Sequence, residues 1–165
     1  MSPPVWQSGL GEERVDLAAA STTALSGRIL EGQHVLPVRV YFEDTDFSGR
    51  VYHTRYLQFM ERGRSDYLRL LGIHHRELAE SGQAFAVRHM EIDFHKPAAI
   101  DDVLTVRTAT AGMTGARVRL RQEVLKDGEV LVAATVTVAL IGPRGRPVKL
   151  PAPVREALAG AAPRA

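Results

Sequence analysis

Asp44-Thr45-Asp46-Phe47-Ser48-Gly49-Arg50-Val51-Tyr52-His53 is the stretch on which the reading of this 165-residue chain turns. Upstream, His34 to Phe42 alternates, with Val38, Val40 and Phe42 on one face and Arg39 and Tyr41 on the other, the pattern of a half-buried strand. Downstream, Tyr56, Met60, Gly63, Tyr67 and Leu71 recur at spacings of three and four. Leu57 and Leu68 widen that stripe, while Arg62, Asp66 and Arg69 fall away from its centre. Thr54 is the expected N-cap and Gly72 the stop, giving a helix of about five turns. Gly63, in mid-stripe, would let the helix backbone lie close on a sheet. The order strand, acidic loop, glycine, helix brings a carboxylate to unpaired backbone N–H groups and a partial positive charge. A carboxylate facing such donors across a gap can attack a carbonyl or activate water while the donors hold the developing oxyanion.

Further along, a short helix is expected from His75 to Glu80, and then strands over Ala84–Phe94, Val103–Thr110, Arg117–Lys126 and Val130–Ile141. His95-Lys96-Pro97 breaks the first of these, and Gly112 to Gly115 make the next turn. Asp127-Gly128 is a two-residue hairpin signal. Val130–Ile141, β-branched and almost wholly apolar, belongs in the interior of the sheet. Pro151 to Gly160 could form a closing helix. The expected fold class is therefore α+β, an antiparallel sheet of about five strands wrapped around one long central helix. Three segments follow: an N-terminal extension over 1–33, expected to be mobile and to hold at most a short helix near Glu12–Ala20, a domain over 34–150, and a basic C-terminal tail over 151–165.

Composition narrows the function. With no cysteine, disulfide stapling and thiol catalysis are excluded, and a reducing, cytoplasmic location is permitted. No apolar run is long enough for a transmembrane segment, and no secretory signal pattern opens the chain. The formal net charge of +2 hides a basic tail, where Arg144, Arg146, Lys149, Arg155 and Arg164 face Glu156 alone. Nucleic-acid binding would need a basic stripe interleaved with exposed aromatics, and the aromatics here fall on strand and helix faces instead. Asp44, Asp46, Ser48 and Gly49 match four positions of a calcium-binding EF-hand loop, but Arg55 stands where its bidentate glutamate belongs. The six histidines form no zinc ligand set, so no metal is expected.

Val38-Arg39-Val40-Tyr41-Phe42-Glu43-Asp44-Thr45-Asp46, Gly49, Val51-Tyr52-His53, Tyr56-Leu57 and Glu61-Arg62 together resemble the hot-dog-fold acyl-CoA thioesterases, in particular the Tol-Pal-associated group, which is similar to the 4-hydroxybenzoyl-CoA thioesterases. The likeness continues through Phe85-Ala86-Val87-Arg88, Asp93-Phe94, Pro97-Ala98 and Asp101-Asp102, and covers roughly His34 to Leu150. It implies a hot-dog fold, a catalytic Asp46, a site that includes His53, and a backbone N–H near the helix start that polarises the thioester carbonyl. It also implies a homodimer, which could pair into a tetramer, with the active site at the interface. The substrate would be an acyl-CoA or the thioester of an acyl carrier protein, with coenzyme A as part of the substrate and no separate cofactor.

Thioester hydrolysis asks little of a protein, because the carbonyl is already electrophilic and thiolate leaves well. Asp46 could serve as general base or as nucleophile, and the His53 imidazole could orient Asp46, orient water or protonate the leaving group. Gly49, Val51, Tyr52, Tyr56 and Arg88 are the candidate substrate-binding residues, with Gly49 also serving the turn. Arg88, Lys96, Arg117, Arg119 and Arg121 could meet coenzyme phosphates, or simply form a solvated strand face. Asp44 reads as a turn residue, and Glu61 as a helical carboxylate in a salt bridge with Arg64 or Arg88. Two other readings stand beside hydrolysis: a hot-dog hydratase or dehydratase, and a non-catalytic acyl-binding module with envelope or lipid-synthesis partners.

Overall fold

The alternating segments pair into a single six-stranded antiparallel sheet in the computed structural model, which describes residues 25–161. The strands are β1 (Arg28–Leu30), β2 (Gln33–Arg39), β3 (Ala84–Phe94), β4 (Val103–Thr114), β5 (Arg117–Lys126) and β6 (Glu129–Ile141), in the spatial order β1-β2-β4-β5-β6-β3. The helices are α1 (His53–Leu70), α2 (His75–Glu80) and α3 (Ala152–Gly160). The α+β class, the long central helix and the antiparallel sheet are those expected of a hot-dog fold. The sixth strand is β1, which lies inside the span read as an extension. The remainder of that span, with the short helix expected near Glu12–Ala20, lies outside the described residues.

The inner face of the sheet carries the core. Leu36 and Val38 of β2, Leu104 and Val106 of β4, Val118, Leu120 and Val124 of β5, and Val132, Val136 and Leu140 of β6 are buried with Tyr56, Phe59, Met60, Tyr67 and Leu68 of α1. Asp127 and Gly128 both adopt positive φ (50° and 82°), the geometry a two-residue hairpin between right-twisted strands demands. β6 runs between β5 and β3, as its apolar composition required.

Gly63 is where the helix comes down on the sheet. A Cβ there would sit 2.8 Å from Val106 Cγ1 and 3.1 Å from Thr108 Oγ1. Beside it, Gln122 donates to the Met60 carbonyl (2.9 Å) and to Thr108 Oγ1 (2.8 Å) and accepts from the Arg64 guanidinium (2.9 Å), so the buried polar groups at this contact are paired. Gly63→Val is therefore expected to cost about 1–3 kcal/mol through overpacking, read as a lower midpoint in urea denaturation.

Several expectations shift, and β4 runs on to Thr114 through the stretch expected to turn at Gly112 to Gly115. β2 ends at Arg39, not Phe42: the Val40 N–H donates to the Asp102 carbonyl (2.9 Å), and Phe42 starts a 3-10 turn (Phe42–Asp44) with its ring exposed. Thr54 is not the N-cap, because Tyr52 takes that place in extended backbone and the helix is already turning at His53. Leu57 lies at the edge of the buried face and is exposed, while Asp66 is buried. Residues 152–161 are more than a tail, since Leu150, Val154, Leu158 and Ala161 close one end of the core.

Candidate active site

The acidic motif folds into a β-hairpin with a three-residue loop. Thr45 and Val51 pair as a bridge, the Asp46 N–H donates to the Arg50 carbonyl (3.0 Å), and the Gly49 N–H donates to the Asp46 carbonyl (2.9 Å). Phe47, Ser48 and Gly49 form the loop. Gly49 takes φ = 74°, the left-handed position that closes three-residue hairpins, and a side chain there would meet nothing within 4 Å. Backbone conformation, not space, is what selects glycine.

The two aspartates part company. Asp44 is buried; its carboxylate accepts from the Tyr41 N–H (2.9 Å) and lies 3.6 Å from Arg55 Nε, and its carbonyl accepts from the Tyr52 N–H (2.9 Å). It braces the loop, in keeping with its reading as a turn residue. Asp46 is exposed at the hairpin tip. Its Oδ1 accepts twice from Ser48, from the N–H (2.8 Å) and from the hydroxyl (2.5 Å). The hydroxyl, and then the N–H, hold its carboxyl below the ordinary 3.8, so the group is ionised at neutral pH.

The second arm of the hairpin runs straight into α1. The Val51 N–H donates to the Ala98 carbonyl (2.9 Å), and the Ala98 N–H donates to the hydroxyl of buried Tyr56 (2.9 Å). Burial pushes the Tyr56 hydroxyl above its ordinary value and outweighs the bond from Ala98, which lowers it. The connection from Ala98 to Asp102 is itself pinned: Asp102 accepts from Lys126 Nζ (2.7 Å) and from the Ala99 N–H (2.9 Å). The first turn of the helix is thus fastened to the end of the sheet. Among the described residues, the His53 and Thr54 N–H groups have no acceptor, leaving two donors at the positive end of an 18-residue helix.

His53 is exposed, its ring centroid 4.5 Å from that of Tyr52 and 6.4 Å from that of Phe94, which ends β3. Among the described residues no hydrogen bond joins Asp46 to His53 or to the helix amides. The structure therefore gathers Asp46, Gly49, Val51, Tyr52, His53 and Tyr56 in one hairpin-helix unit. Arg88 does not join them within the chain: it sits in a bulge of β3, six residues and roughly 20 Å along the strand from Phe94. Of the other cations considered for coenzyme phosphates, Lys96 pairs with Glu129 and Arg121 with Glu123, and Arg117 and Arg119 are exposed on the sheet face away from α1. Glu61 is ion-paired with Arg64, one of the two expected partners.

A small apolar cleft lies elsewhere, between the middle of α1, β3 and α3, and is lined by Leu68, Phe85, Val87, Val138 and Leu158. It is separated from the hairpin by about two helical turns. The polar lining of the cleft is Arg64, His75 and ion-paired Glu61. Among the described residues no cluster of His, Asp or Glu is placed to hold a metal ion, and no helix is long and apolar enough to cross a membrane. Two participants escaped the sequence reading. Ser48 was visible only as a calcium-loop position, and Phe94 only as the end of a strand within the family-like stretch.

Residues 40–158 match the family model described as the thioesterase-like superfamily. The chain is 40% identical over 131 residues to acyl-CoA thioesterase YbgC of Haemophilus influenzae, covering 78% of this chain and 96% of that protein. It is 37% identical over 117 residues to acyl-CoA thioester hydrolase YbgC of Escherichia coli O6:H1, covering 70% and 87%. The crystal structure of a probable thioesterase from Bartonella henselae superposes with a TM-score of 0.70 at 47% identity, covering 72% of this chain and 99% of that one.

Proposed function

The chain belongs to the thioesterase-like superfamily and is a thioester hydrolase, and from that premise we propose that Asp46 and the opening turn of α1 form its reaction centre for acyl-CoA or acyl-carrier-protein thioesters. One observation carries the reading: a self-closed hairpin presents an ionised carboxylate and leads within a few residues into a helix whose first two N–H groups are free. The carbonyl oxygen of the substrate would accept from those amides, which stabilise the oxyanion as it forms.

Two balanced routes fit. As a base, Asp46 takes a proton from water as the water oxygen bonds to the carbonyl carbon; the C–S bond then breaks and the leaving thiolate takes that proton back from Asp46, which is again a carboxylate. As a nucleophile, Asp46 Oδ2 bonds to the carbonyl carbon, the thiolate departs, and water hydrolyses the resulting anhydride. A hydrogen-bonded, exposed carboxylate is a weak base, and cover from a second subunit would raise its basicity.

A homodimer supplies that cover. β3 is an edge strand of 11 residues, largely exposed, with half-exposed Val87 and Phe94, and an uncovered strand edge invites pairing with another copy. Its end touches His53, so a second subunit on that edge would pass beside the hairpin. His53 then serves to orient water or the leaving thiol, and Tyr52 and Tyr56 frame the pocket. The reading needs no cofactor beyond the coenzyme carried by the substrate, and such substrates place the enzyme in the cytoplasm.

The test is release of free thiol from a panel of acyl-CoAs, expected for at least one acyl chain and absent if the reading is wrong. A single turnover in ¹⁸O-water, together with hydroxylamine trapping, separates the routes: label in the Asp46 carboxylate or a trapped acyl group on Asp46 marks the anhydride, and label in the product acid with no trapped acyl-enzyme marks the base.

A further inference from the structure

Asp46 is bound by an arrangement richer than a turn requires. The Ser48 N–H alone would close the aspartate turn. The Ser48 hydroxyl adds a second bond to the same carboxylate oxygen, at 2.5 Å. Among the described residues both hydrogen bonds fall on Oδ1 and none on Oδ2, and the Arg50 backbone N–H adds a lesser pull on the carboxylate than Ser48 does. Both donors to Oδ1 come from one residue, two positions on, in a loop whose geometry Gly49 sets.

We propose that Ser48 is the positioning residue of the reaction: its hydroxyl and N–H clamp Oδ1 of Asp46 so that Oδ2 is turned to water or to the thioester carbonyl. The assignment deepens the proposed function and rests on Asp46 being the reacting carboxylate. A carboxylate free to rotate would spend most of its time misaligned, whereas a clamped one meets its target in the reactive geometry. The hydroxyl also stabilises the ionised form, which keeps the group charged into mildly acid solution.

The other charged groups of the loop and helix start have partners of their own. Arg55 is held by the Glu43 carbonyl and Asp44, the charge of Arg50 acts on Asp102, and the His53 ring lies against Tyr52 and Phe94. The Glu43 side chain and the buried Asp44 carboxylate are the remaining neighbours, and neither bonds to Asp46. Ser48 is therefore the partner whose loss Asp46 would register.

The experiment compares Ser48→Ala and Ser48→Thr with the full-length wild-type chain, following thiol release from an acyl-CoA substrate across pH. Ser48→Ala is expected to lose roughly tenfold in kcat with little change in KM, as for one hydrogen bond to a charged group. The acid limb of its pH profile should move toward neutral pH, because the lost donor favoured the carboxylate. Its melting temperature should stay unchanged, since the loop is exposed. Ser48→Thr, which keeps both donors, should restore rate and limb. A wild-type rate and limb in Ser48→Ala, activity lost only in step with melting temperature, or failure of Ser48→Thr to restore the profile would each overturn the assignment. Asp46→Asn, run alongside, separates the layers. If that variant is inactive while Ser48→Ala behaves as wild type, Ser48 alone is wrong; if it turns over normally, the reading of Asp46 falls too.

Discussion

Asp46→Asn is expected to lower kcat/KM for acyl-CoA hydrolysis by roughly 10²–10⁴-fold while leaving the melting temperature where it is. The asparagine keeps the Oδ1 acceptor that Ser48 holds, so the hairpin should close as before. What it loses is the negative charge and the lone pair that takes a proton or attacks carbon. Exposure of the side chain means that no buried cation is left unpaired. Thiol release and a thermal melt on the same preparation check both halves. Activity within about tenfold of wild type would remove Asp46 from the chemistry, because no general base is worth so little.

The largest expected effect on folding lies toward the far end of α1, at Asp66. Asp66 is 5% exposed, and its Oδ2 accepts from His34 Nε2 at 2.7 Å and from the Gly27 N–H at 2.7 Å. His34 is fully buried, and its Nδ1 has no partner among the described residues. The pair fastens β2 and the chain entering β1 to α1. Asp66→Ala would leave the ring with neither nitrogen bonded and the Gly27 amide without an acceptor. The expected loss is about 3–5 kcal/mol, a fall in melting temperature of roughly 6–20 °C. A loss below about 1 kcal/mol would mean that water or a local shift replaces the carboxylate.

The same residue gives the acid limb of stability a sign. Burial raises the Asp66 carboxyl, but the bonds from His34, Gly27 and Ser26 outweigh it, and the group ends below its ordinary 3.8. A carboxyl lowered on folding contributes stability that is complete above its unfolded value and drains away as pH falls toward the folded one. The gap in stability between wild type and Asp66→Ala should therefore narrow as pH drops below about 4, and stay wide at neutral pH.

Much of this was legible in the residues, and what was not has a common cause. Alternation marked β3 to β6, the apolar stripe marked α1, and Asp127-Gly128 marked its hairpin, because each signal is local. Three-residue β1 is too short to show a period. Phe42 continued the alternation past the point where the backbone had already turned to Asp102. Asp66 read as an outward charge because its partners, His34 and Gly27, lie 32 and 39 positions away and can be met only through folding. The docking of Leu158 escaped for the same reason. At the site, the order acid, glycine, helix start was readable, whereas the clamp by Ser48 depends on a loop geometry that composition does not disclose. Arg88, a candidate for coenzyme phosphates as a cation on a predicted strand, sits well along an edge strand.

The hairpin from Thr45 to Val51 closes largely on its own hydrogen bonds and leaves its tip side chains in solvent. Selection can therefore rewrite exposed Phe47 without disturbing the interior, and drift in the interior need not retune the loop. Such a division of labour lets the outward bend change its solvent-facing side chains while the helix start behind it keeps its place.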